Sequence, residues 1–223
     1  MKIHLFFEQS GTFKNVFKEM GYKAYDYDIE NRFNETDFQL DLFREIENAW
    51  ANHHSVFDNI DENDLIFAFF PCTYFSAQNQ LFEKGQSSAF KNWTKEKIRE
   101  YWEERKKERK KYLEILKKLV DTVKQRKIKT VIENPYHQNY LLTLKEFASP
   151  AVIIKNRRIY GDFYKKPTMF YFYNFECTFF SNTAIKLKHY KTKIMYKVRG
   201  IERSVMTKEF AYNFVNKYIF GKG

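Results

Sequence analysis

Apolar positions along the chain fall into short runs and helical stripes that alternate. Residues 2–7 form a brief apolar run, and Glu8-Gln9-Ser10-Gly11-Thr12 reads as a turn that opens a helix. Phe13, Val16, Phe17 and Met20 recur at the spacing of one helix face, with Gly21 set to stop it. Residues 23–29 alternate, are rich in tyrosine, and read as a second strand ending at Asp28. Residues 38–42 form a short third strand or a turn ending near Asp41, and 43–53 reads as helix. Residues 64–70 are almost continuously apolar, as a strand buried on both faces requires, and Pro71 ends them.

Residues 73–93 show little periodicity and read as a long loop, a length that compact domains reserve mostly for function. The strongest helix spans 94–127. Thr94 can cap it, Ile98, Tyr101 and Trp102 start an apolar stripe, and Tyr112, Leu113, Leu116, Leu119, Val120 and Val123 continue it. Residues 129–133 are the next strand, ending at an acid followed by Asn134-Pro135. Residues 152–154 and 169–175 are further strands, and 207–220 is a final helix. No internal repeat and no Pro/Gly/Ser linker interrupts the pattern. The expectation is one α/β domain over 1–223 with a mostly parallel sheet.

Composition adds exclusions. With 43% hydrophobic and 19% aromatic residues in 223, the chain can bury one large core, which excludes disorder for most of it. No stretch approaches the roughly 20 apolar residues of a membrane span. The N-terminal run meets Glu8 without a signal-peptide core. Cys72 and Cys177 form neither a disulfide framework nor a zinc site, and the five histidines lack ligand spacing, so no metal is expected. These features predict a soluble, reduced, cytoplasmic protein.

Charge changes the picture more. Of the net +11, residues 1–94 carry −7, residues 95–129 carry +8 and residues 183–223 carry another +8. Such asymmetry suits a polyanion held beside a more acidic half, and two basic segments flanking a candidate site favour nucleic acid. Lys-rich runs at 105–111 and 186–199 are suited to phosphate contacts, although residues 99–111 also fit a solvated charged helix or a protein-interaction arm.

In sheets of this class ligands bind at the carboxyl ends of strands. Five expected strand ends carry chemically capable residues: Glu8 to Thr12, Asp28, Asp41, Pro71-Cys72 and Glu133-Asn134-Pro135. In this order and spacing the chain resembles a DNA cytosine-5 methyltransferase of the short phage or mobile-element kind, over roughly 3–172 and 200–220. The most specific piece is Phe70-Pro71-Cys72-Thr73-Tyr74-Phe75-Ser76, similar to that family's Pro-Cys, two variable residues, then Phe-Ser. Val131-Ile132-Glu133-Asn134-Pro135 resembles its second catalytic motif, and Phe7-Glu8-Gln9-Ser10-Gly11-Thr12-Phe13 its cofactor loop. Arg203-Ser204-Val205 resembles the segment that returns to the cofactor.

The resemblance implies a Rossmann-like, S-adenosylmethionine-dependent methyltransferase domain with a reduced target-recognition segment at 172–199. It implies that Cys72 adds to carbon 6 of a flipped cytosine and that Glu133 contacts ring nitrogen 3 and the exocyclic amine. The loop 73–93 closes over the base, with Phe75, Ser76, Asn134 and Pro135 beside it, and Arg158 matches the family's arginine-bearing motif. On the cofactor side it implies Phe7, Gly11 and Thr12 against the methionine end and Asp28 on the ribose hydroxyls. Ile29 then packs on the adenine, Asp41 takes the adenine amine, and Pro71, Ser204 and Val205 complete the site. Asp28 and Asp41 equally suit turn caps. Three departures stand out: Gln9 replaces the first glycine of the family's Gly-x-Gly, the arginine-bearing motif is matched only passably, by Arg158 in Asn156-Arg157-Arg158-Ile159-Tyr160, and 172–199 is short for sequence readout. A non-catalytic nucleic-acid-binding descendant and an RNA or nucleotide methyltransferase are the competing readings.

Overall fold

Strands whose residues are apolar on both faces must be covered on both, and that requirement organises the chain. In the computed structural model, which describes residues 1–75, 81–82, 85, 87–136, 147–177, 187 and 205–220, seven strands form one sheet. They are β1 (Lys2–Phe6), β2 (Lys23–Asp28), β3 (Phe38–Gln39), β4 (Leu65–Ala68), β5 (Lys129–Pro135), β6 (Val152–Ile154) and β7 (Thr168–Tyr173). The order is β3-β2-β1-β4-β5-β7-β6. All neighbours pair in parallel except β7, which is antiparallel to both β5 and β6. The fold is α/β with a mostly parallel sheet, compatible with a Rossmann-like arrangement.

Side chains alternate across the pleat and feed two cores. On one face Ile3, Leu5, Leu65, Phe67, Val131 and Phe170 meet helix α1 (Thr12–Glu19) and the C-terminal helix α4 (Lys208–Val215). On the other, Phe6, Ile66, Ala68, Ile132, Met169 and Tyr171 meet helices α2 (Leu42–Trp50) and α3 (Lys95–Gln125). The chain runs outward from β1 to β2 and β3, then returns to β4 on the other side of β1. Above this reversal the two halves diverge and leave a crevice.

Several elements differ from their expected extents, each for a local reason. The third strand is only Phe38–Gln39, because Asp41 caps α2 by accepting from the Phe43 and Arg44 N–H groups at 3.0 and 3.4 Å. The strand at 64–70 stops at Ala68, where its pairing with Phe6 and Ile132 ends. β5 instead runs on to Pro135, since β7 extends the ladder through Asn134↔Met169 and Pro135↔Thr168. The final helix is α-helical only to Val215 and continues as a π-helical turn over Asn216–Phe220. Of the loop expected at 73–93, residues 76–80, 83–84 and 86 lie outside the described residues, as do most of 172–199.

Candidate active site

The crevice is a cavity of about 780 Å³ at the carboxyl ends of β1, β2, β4 and β5. Among the expected site residues, Phe7, Thr12, Asp28, Ile29, Asp41, Pro71, Cys72, Glu133 and Val205 all line it. Gly11, Arg158, Phe75, Asn134 and Pro135 do not line it, and Ser76 and Ser204 lie outside the described residues.

The loop after β1 builds one end. Phe7 has φ 61, a left-handed conformation that strains a residue with a side chain. Its N–H donates to the Tyr27 carbonyl at 2.9 Å, and its ring packs edge-on against Phe43 and Phe70. Gly11 caps α1 at φ 62, and an added Cβ would meet the Glu35 carboxylate at 2.7 Å. Its place is behind the cavity wall, where it turns the chain so that Thr12 faces inward.

Glu8 holds this turn together. Buried at the N-terminus of α1, it accepts from the Phe13 N–H at 2.8 Å and the Lys14 N–H at 3.2 Å, two donors that have no partner within the helix. Burial, opposed by these bonds, pushes its carboxyl up to about 7. Sequence reasoning placed Glu8 at a strand end but gave it no role; the available signal was an acid just ahead of a helical stripe. Lys14, also buried, is ion-paired to Asp26 at 3.1 Å and Asp37 at 3.4 Å, tying the β2–β3 connection to α1.

Asp28 ends β2 with one oxygen accepting from the Glu30 N–H at 2.8 Å, and burial raises its carboxyl above the usual range. Ile29, 60% exposed, forms an apolar lip beside it. Gln9 reaches across, donating from Nε2 to Glu30 at 3.4 Å, while its Oε1 is buried with no partner among the described residues. Gln9 therefore makes a different contact in the loop, toward the acids of the β2 end. Asp41 caps α2, as the turn-cap reading expected, and also lines the cavity.

β4 and β5 build the opposite end. Asn134 is fully buried and donates to the Phe70 carbonyl at 3.2 Å, which fixes the Pro71-Cys72 turn against the tip of β5. Phe75 closes that turn through its N–H to the Cys72 carbonyl at 2.9 Å, and its ring is wholly buried in the core beside Phe70. Glu133 faces the cavity and accepts from the Thr168 hydroxyl, which sets the orientation of its carboxyl. Pro135 pairs with Thr168 in the sheet. Cys72 is half-buried; burial and Glu133 raise its thiol, while Lys166 and Arg157 act in the opposite direction.

The arginine segment is arranged differently from the sequence expectation. Arg158 Nε donates to the Phe163 carbonyl at 3.1 Å, away from the cavity lining. Its neighbour Arg157 is fully buried and paired with Asp162 at 2.5 Å, and its charge favours the Cys72 thiolate. The two sit on one 3₁₀ turn (Arg157–Tyr160), where adjacent side chains diverge.

Helix α3 supplies a wall that sequence reasoning did not assign: Glu108, Lys111 and Tyr112 line the cavity. Above them Arg105 lies 4.9 Å from the Tyr74 and Phe82 rings and donates to the Thr73 carbonyl at 3.4 Å. These contacts join the helix to the segment that follows Cys72. Among the described residues no cluster of His, Cys, Asp and Glu could hold a metal ion, and no helix is long and apolar enough to cross a membrane. Compared with known proteins, the chain matches no family model and no curated protein.

Proposed function

We propose that the chain is an S-adenosylmethionine-dependent methyltransferase that acts on carbon 5 of cytosine in DNA. One observation carries the reading: Phe7, Asp28, Cys72 and Glu133, far apart in sequence, line a single cavity at the strand ends. The cavity divides by chemistry in the way such a reaction needs. At the β2 end Asp28, Glu30 and Gln9 Oε1, which has no partner among the described residues, offer acceptors for hydroxyls and amines, next to the apolar Ile29 and Phe33. At the β4–β5 end a thiol and a carboxyl stand together.

When bound, S-adenosylmethionine supplies an electrophilic methyl group. Cys72, as thiolate, forms a bond to carbon 6 of the extruded cytosine and makes carbon 5 nucleophilic. Glu133, oriented by Thr168, holds ring nitrogen 3 and the exocyclic amine and assists by supplying a proton. Carbon 5 would take the methyl group as the demethylated thioether leaves. A base would then remove the carbon-5 proton, the freed electron pair would expel the Cys72 thiolate, and nitrogen 3 would return its proton to Glu133. Asn134 keeps Cys72 and Glu133 in register through the Phe70 carbonyl.

The test is incubation with labelled S-adenosylmethionine and DNA containing 5-fluorocytosine. The protein is expected to be trapped covalently, since fluorine does not leave as a proton does, and Cys72→Ser should abolish both trapping and methyl transfer. Methyl groups on an exocyclic amine, or methylation by Cys72→Ser, would overturn the reading. DNA binding without any transfer would mark the non-catalytic alternative.

A further inference from the structure

We propose that Lys166 is a positioning residue for the Cys72 thiolate, the cation that lets an acid-lined cavity hold an anionic nucleophile. The lining contains six acids, Glu8, Asp28, Glu30, Asp41, Glu108 and Glu133, and two lysines, Lys111 and Lys166. A thiolate placed there is opposed by the field of those acids that are ionised and by loss of hydration. Lys111 approaches from α3. Lys166 belongs to the segment that enters β7, on the same side as Glu133 and its partner Thr168.

The backbone that follows Lys166 is fixed. Pro167 follows it, with its carbonyl accepting from the Tyr136 N–H at 3.2 Å, and Thr168 pairs with Pro135 while bonding Glu133. Lys166 thus precedes by two residues the partner of Glu133, and it lines the same cavity as Cys72 and Glu133. Its half-buried stem leaves the charge less screened than that of an exposed lysine. Among the charges acting on Cys72, Lys166 favours the thiolate most, ahead of Arg157, against burial and Glu133. When Cys72 ionises, its proton passes to water and Lys166 balances the charge left on Sγ.

This inference rests on Cys72 being the nucleophile, but its test needs neither cofactor nor DNA. In a Cys177→Ser background the second-order rate of alkylation by iodoacetamide is followed against pH; the thiolate displaces iodide, so the rate reports its population. Lys166→Met should move the profile upward by about one pH unit, about tenfold slower alkylation below the midpoint. Lys166→Arg, which keeps the charge, should stay within about twofold of the parent. Coincident parent and Lys166→Met profiles would overturn the inference, as would an Arg variant displaced as far as the Met one. Coincident profiles together with trapping on 5-fluorocytosine DNA remove the role of Lys166 and leave the methyltransferase reading standing. Displaced profiles without methyl transfer do the reverse.

Discussion

At the scale of single residues, Glu8 shows how the fold sets a charge state. Its carboxyl is pushed up to about 7 from 4.5 by burial. The folded chain therefore keeps a proton that the unfolded chain releases, and the associated stability, fully present below pH 4.5, is lost as pH rises through 7. The difference corresponds to about 3 kcal/mol. Glu8→Gln retains an oxygen for the α1 N–H groups and removes the titration. Its melting temperature relative to wild type should rise between pH 5 and 8, and a constant gap would show that Glu8 ionises normally. Asp28→Ala tests the other acid of this end: S-adenosylmethionine or its demethylated product should raise the wild-type melting temperature by mass action, and much less so in the variant. Cys72 and Glu133 were legible as cavity residues because each belongs to a contiguous motif at the end of an apolar run, Cys72 beyond β4 and Glu133 within β5 near its end. Glu8 was not, because it works through backbone N–H groups. That Arg158 turns away from the cavity was equally hidden, since it depends on which way a 3₁₀ turn faces. Phe75 suits core and cavity alike, and only its complete burial separates the two.

At the scale of elements, α3 is two helices in one. Its 31 residues extend about 46 Å at the usual rise. Ile115, Leu116, Leu119, Val120 and Val123 are buried in the C-terminal part against α2 and the sheet, whereas the N-terminal part is charged and largely outside the core. Leu119→Ala should accordingly cost about 2–5 kcal/mol in denaturant unfolding, while Lys107→Ala should change stability by less than about 0.5 kcal/mol. Equal effects would mean that the N-terminal part is held as firmly as the rest. The apolar stripe made this helix readable, as the continuous apolar run did for β4. The extents of β3 and β5 were not readable, because a capping aspartate shortens one and an antiparallel partner distant in sequence lengthens the other. Sheet order carries no local signal at all. It arises where the chain returns past β1, and that reversal is what opens the cavity.

For the molecule as a whole, the distribution of charge decides how a large polyanion is held. The acidic first 94 residues, at −7, contribute most of the cavity's carboxylates, and residues 95–129, at +8, contribute Glu108, Lys111 and Tyr112 to its lining. Under the proposed function the cavity takes one extruded base, and the rest of the DNA must lie outside it along basic surface. Lys106, Lys107 and Lys110 are exposed on α3, within about a turn and a half of Lys111 at the cavity lining. They would contact phosphates, which position DNA without specifying its sequence. Binding to mixed-sequence DNA should then weaken steeply with salt. Replacing all three lysines by glutamine should make the plot of log affinity against log salt shallower by about one for each phosphate contact removed. Affinity should fall uniformly across sequences, and melting temperature should hold because none of the three is buried in the core. Cys72→Ser, by contrast, should leave the salt slope untouched. If the triple variant keeps the wild-type slope, α3 is a solvated charged helix and the DNA is held by other parts of the chain.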